Sequence, residues 1–67
     1  MKNTSLKIAR IKKNFTQKEL ARTINVSTKY ISVLECSNNL PSMPIMIKLS
    51  KTLGEPIGVL FPQISEL

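Results

Sequence analysis

Side chains able to carry chemistry are few in this chain of 67 residues, and most of them are cationic. There is no histidine, which removes the usual general base and the commonest metal ligand. A single cysteine, Cys36, allows neither an internal disulfide nor a thiolate metal cluster. The four carboxylates, Glu19, Glu35, Glu55 and Glu66, form no evident acid/base pair. Together these absences argue against an enzyme and against a metal or organic cofactor, and no small-molecule ligand is implied. Ten lysines and arginines leave a net charge of +6. Eight of them (Lys2, Lys7, Arg10, Lys12, Lys13, Lys18, Arg22 and Lys29) lie in residues 1–34 against Glu19 alone, a local charge of +7, whereas residues 35–67 carry −1. Such asymmetry suits a polyanion bound on one side, because phosphates neutralised by Lys and Arg release their counterions. It also suits a solvated surface that keeps a small protein soluble. Composition does not separate the two.

The elements that must hold these groups read as short helices. Ser5 is a suitable N-cap for a first helix to about Lys13, on which Leu6, Ala9, Arg10 and Lys13 form one stripe and Ile8, Ile11 and Phe15 a second. Two apolar stripes predict a helix covered on more than one side, and Asn14 ends it. Thr16 and Glu19 form a capping box that opens a second helix, with Leu20, Ala21 and Ile24 facing inward. Asn25 stands at the turn, where an asparagine tolerates left-handed backbone. Ser27 caps a third helix, Thr28 to about Cys36, with Val26 placed to staple onto Ile31. Val26, Ile31 and Leu34 then face inward and leave Thr28, Lys29, Ser32 and Val33 outside. Most of that outer face is small and only weakly charged, whereas a purely solubilising face is more often filled with Glu and Lys. It looks shaped for close approach.

Residues 37–41 read as a loop, and Ser42 as the cap of a fourth helix with Pro44 in its first turn. Ile45, Met46, Leu49 and Leu53 recur at helical spacing, and Gly54 stops the helix. Pro56 to Phe61 forms a last short helix ended by Pro62, and the alternating tail after it reads as a short strand or docking arm. An apolar content of 42% supports one compact domain over residues 1–67, with a core of about 5–61 and an arm at 62–67. A chain this short hides only about 60% of its unfolded surface, so its stability is marginal. The run Ile45-Met46-Ile47, bounded by Pro44 and Lys48, falls far short of a membrane span, and the N-terminus lacks the apolar region of a secretion signal. The expected location is the cytoplasm, with no membrane partner.

Two short helices joined by a tight turn match the helix-turn-helix pattern. The string Phe15-Thr16-Gln17-Lys18-Glu19-Leu20-Ala21, the turn Asn25-Val26-Ser27 and the segment Tyr30-Ile31-Ser32-Val33-Leu34-Glu35 resemble the phage repressor and Cro-type helix-turn-helix group. Pro41-Ser42, Leu49-Ser50-Lys51-Thr52-Leu53-Gly54 and Leu60-Phe61 resemble its later helices, so the likeness covers about residues 5–61. The implied fold is all-α, a five-helix lambda-repressor-like domain. The resemblance implies that Gln17, beside the cap Thr16, grips a phosphate and braces the recognition helix. It implies that Thr28, Lys29, Ser32 and Val33, following the cap Ser27, face base edges, and that Asn38, Asn39 and Ser42 touch the DNA backbone. Arg10 and Glu35 resemble an ion pair tying the first helix to the end of the third. Tyr30 is either a packing residue or a phosphate donor. Several positions depart from the pattern, among them Ser37 and Asn25 where glycine is common and Cys36 where the group is generally polar.

The expected partner is double-stranded DNA, read by a homodimer whose recognition helices lie about 34 Å apart on a near-palindrome. A repressor acting by occupancy fits this reading, and so does a controller of a restriction-modification operon. An antitoxin or partner-binding module is the alternative. Leu40, Met43, Ile57, Val59, Leu60, Phe61, Ile64 and Leu67 are the candidate dimer contacts. A competing expectation has Ile64 and Leu67 folding back over Ile8 and Ile11.

Overall fold

Three of the five helices among the described residues begin where a short polar side chain accepts an otherwise orphaned N–H group. The computed structural model describes residues 3–37 and 39–66. Its elements are α1 Thr4–Lys12, α2 Gln17–Thr23, α3 Thr28–Cys36, α4 Met43–Leu53 and α5 Ile57–Leu60, followed by a 3-10 turn over Pro62–Glu66. Thr16 Oγ1 accepts from Glu19 N at 3.0 Å while the Glu19 carboxylate accepts from Thr16 N at 2.9 Å, completing the capping box. Ser27 Oγ accepts from Tyr30 N at 3.0 Å. Ser42 stands in the capping position of α4 without a side-chain bond, and the early Pro44 removes one donor that would otherwise need a partner.

The first cap differs from expectation. Asn3, not Ser5, opens α1, its Oδ1 accepting from Leu6 N at 3.0 Å. Tertiary bonds make the choice: Asn3 Nδ2 donates to Leu60 O at 2.8 Å and Asn3 N donates to Glu35 O at 2.9 Å. Ser5 has no comparable reach from inside the first turn.

Turns follow from residues that accept left-handed backbone. Asn14 (φ 60°) closes α1, Asn25 (φ 62°) makes the α2–α3 turn and Gly54 (φ 69°) caps α4. Leu6, Leu20, Ile31, Leu49, Leu53, Leu60 and Phe61 are fully buried at the centre. Here α2 packs chiefly on α3, while α1 and α4 both lean on α5. Four residues therefore anchor two longer helices, which is why α5 survives with so little length of its own.

Three expectations are corrected. Leu60 and Phe61, candidates for a dimer surface, lie wholly inside the core, where bulky side chains are needed to fill the space between α1 and α4. The second stripe of α1 is covered only at its end: Phe15 packs against the core, while Ile8 is 48% exposed at the groove between α1 and α5 and Ile11 is 53% exposed. Finally, Pro62–Glu66 is not a strand. No sheet edge exists among the described residues for it to pair with, so it winds into a local turn with Ile64 N donating to Phe61 O at 3.0 Å. Ile64 packs against the core edge, and Leu67 lies outside the described residues.

Candidate nucleic-acid interface

Two helix N-termini and one helix face make up the candidate surface. The turn that joins them is tight: with Asn25 in left-handed backbone, Val26 N donates to Ala21 O at 2.9 Å. Val26 then packs on the core just before the cap, and Ile31, four positions after Ser27, is fully buried. This staple sets the angle at which α3 leaves the body.

A buried carboxylate holds the other end of α3. Glu35 Oε2 accepts from Arg10 Nε at 2.6 Å, and Oε1 accepts from Arg10 Nη2 at 3.3 Å and from Gln17 Nε2 at 3.0 Å. Arg10 Nη1 also donates to Phe15 O at 2.8 Å. The side chains of Arg10 and Glu35 are only 10% and 3% exposed. One carboxylate thus joins α1, the start of α2 and the last turn of α3, and the planar guanidinium suits a two-point grip. Such a pair contributes modestly to net stability, whereas loss of one partner leaves the other charge buried and uncompensated.

Thr28, Lys29 and Val33 are exposed and Ser32 is half-buried, all on one face of α3. Thr16 and Ser27 are exposed at their caps, and Gln17 is half-buried with its amide turned to Glu35. Asn39 is exposed in the following loop, its N–H donating to Ser37 Oγ at 3.4 Å, and Ser42 is exposed at the start of α4. Asn38 lies outside the described residues.

A helix-turn-helix family model, of the Cro/C1 type, matches residues 6–60. The chain belongs to this helix-turn-helix family. No curated protein matches it. The family is one of DNA-binding regulatory domains, not of enzymes. Within the helix-turn-helix, α2 is the first helix and α3 the second, and the fold agrees with the all-α expectation. No described helix is long and apolar enough to cross a membrane.

The helix-turn-helix also sorts the cations. Arg10 is paired with Glu35 inside the fold. Lys7 lines a cleft with Thr4, Arg10, Gln17, Glu35 and Cys36, so one lysine of α1 stands beside the N-terminus of α2. Lys18 and Arg22 flank a second groove along α2 with Phe15, Glu19 and Thr23. Glu19, the lone acid of the first half, is held below the usual carboxylate range, first by the Thr16 N–H bonded to it and then by the Thr16 hydroxyl. Its charge sits at the positive end of α2, where it favours the helix. Tyr30 packs against the core edge, and Cys36 is an exposed free thiol.

One positioning residue escaped sequence reasoning. Asn3 caps α1 and also bonds the carbonyls of Glu35 and Leu60, fastening the end of α3 to α5 through the first residue before α1. The only signal was its type, since asparagine is among the best caps, but Thr4 and Ser5 beside it cap nearly as well.

Proposed function

We propose that the protein is a sequence-specific transcriptional regulator, a repressor that binds a near-palindromic operator in double-stranded DNA as a homodimer. One observation carries the reading: the outer face of α3 presents Thr28, Lys29, Ser32 and Val33 while its inner face is locked to α1 and α2 through Glu35. A rigid helix with small outward side chains is what the major groove admits. Lys29 reaches guanine O6 and N7, Thr28 bonds a base edge or phosphate, and the Val33 methyls rest on a thymine methyl. Thr16 and Gln17 at the start of α2, Ser27 at the start of α3 and Asn38 and Asn39 in the loop set the register on the phosphates. A dimer seated over a promoter excludes polymerase, and repression follows from occupancy.

Selection of bound duplexes from a random pool, followed by titration at two salt concentrations, tests the proposal. A near-palindrome with half-sites about 34 Å apart is expected. Affinity should fall steeply with salt, with a log–log slope of about −0.9 for each phosphate contacted. Absence of any duplex binding at low salt overturns the reading and favours a module whose target is another protein.

A further inference from the structure

A homodimer needs a surface on which two copies meet, and the described surface carries one with self-complementary charge. Ile8 and Val59, each 48% exposed, line one shallow groove between α1 and α5 together with Ser5, Ala9, Lys12 and Glu55. Ile11, 53% exposed, lies three residues beyond Ile8 and so neighbours it on the same helix. The centre is apolar, and the lining holds one ammonium and one carboxylate. Among the described residues Arg10 and Glu35 form the only ion pair within 4.0 Å, so Lys12 and Glu55 share this groove without closing on each other.

A twofold contact sets residue i of one copy against residue j of the other, and j against i. Under that operation a surface with an apolar centre and one charge of each sign complements itself. The other exposed apolar pair, Met43 and Ile47 on α4, lacks this property: the groove along that helix is lined by Lys48 and Lys51 and by no acid, so cation would meet cation.

We propose that a second copy of this chain docks on the α1–α5 face, with Ile8, Ile11 and Val59 at the centre and Lys12 of each copy against Glu55 of the other. The assignment rests on the dimer reading above and names its surface. None of these residues belongs to the proposed reading face, so pairing leaves the outside of α3 open to DNA. The contact is small. A standard interface covers about 800 Å² on each partner, roughly a fifth of the 4296 Å² this molecule exposes. Three aliphatic side chains with a polar rim fall below that, so association is weak and concentration-dependent.

The test is sedimentation equilibrium of the full chain without DNA, with circular dichroism reporting the fold of each variant. Lys12→Glu or Glu55→Lys alone places two like-charge contacts in the dimer and weakens association roughly tenfold or more. An equal mixture of the two variants forms a heterodimer in which both contacts are again attractive, and association recovers to the wild-type strength. A pair formed inside one chain cannot be rescued by mixing. Ile11→Ser, which adds no charge, weakens association severalfold in parallel and keeps the test independent of the charge variants. The assignment is overturned by a wild-type protein that stays monomeric at the highest accessible concentration, by Ile11→Ser with unchanged association, or by a mixture no tighter than its components. A monomer that still binds duplex DNA would sink this surface while leaving the DNA-binding reading intact.

Discussion

Removing the carboxylate of Glu35 should damage the protein far more than replacing the whole pair that it forms. In Glu35→Ala the Arg10 guanidinium, with a side chain only 10% exposed, loses its counter-charge and two of its three bonds, keeping the one to Phe15 O at 2.8 Å. Gln17 Nε2 also loses its acceptor, but Gln17 is half-buried and can turn to water. The retained bond and this escape place the loss near the lower end of the usual range for a broken buried pair, about 3 kcal/mol. Arg10→Ala strands Glu35, 3% exposed, with Gln17 as its remaining side-chain partner, and costs about 4 kcal/mol. Native domains hold ~0.05–0.15 kcal/mol per residue, roughly 3–10 kcal/mol for this chain. Either single change therefore removes much of the total. For a domain of this size 3 kcal/mol corresponds to a midpoint lowered by about 12–24 °C. Urea unfolding followed at 222 nm measures all three proteins, including Arg10→Met with Glu35→Leu, in which no charge remains to desolvate. The double variant should lie within about 1 kcal/mol of wild type. A double variant as unstable as the singles would refute the reasoning, because the damage would then come from lost shape and not from an unpaired charge.

Other expectations are narrower. Lys29→Ala should relax base preference at one operator position by about 1–3 kcal/mol, seen in binding to a panel of single-base operator variants, with thermal stability unchanged because Lys29 is exposed. Thr16→Ala should cost about 1 kcal/mol in urea unfolding through loss of the α2 cap. Because the folded Glu19 carboxyl titrates below its ordinary value, the folded state binds fewer protons there than the unfolded chain. Its contribution is therefore complete above the ordinary glutamate range and is lost as pH falls through the lowered value; Glu19→Gln should flatten that part of the stability–pH curve. Asn25→Ala should destabilise by about 1–2 kcal/mol, since a β-carbon without the local bonding of asparagine fits left-handed backbone poorly, whereas Asn25→Gly should be close to neutral. Asn3→Ala removes the α1 cap and the bond to Leu60 and should increase amide exchange in both α1 and α5, a pattern that loss of a local cap alone would not produce.

Local chemistry determined most of the architecture on its own. The capping box at Thr16, the cap and staple around Ser27, the asparagine at 25 and the glycine at 54 each act within a few residues, so their positions can be read directly from the chain. Residues at helical spacing on α2, α3 and α4 went where their periodicity sent them, and the four candidate reading positions of α3 share one face. Tertiary structure decided whatever depended on a distant neighbour. Three consecutive residues could cap α1, and only the carbonyls of Glu35 and Leu60, brought close by α3 and α5, selected Asn3. Ile8 and Ile11 look like core from their spacing but stand uncovered, while Leu60 and Phe61 look available for a partner but fill the centre. An apolar side chain carries no mark of the element that will cover it; only the packing of α1, α4 and α5 settles which ones meet water.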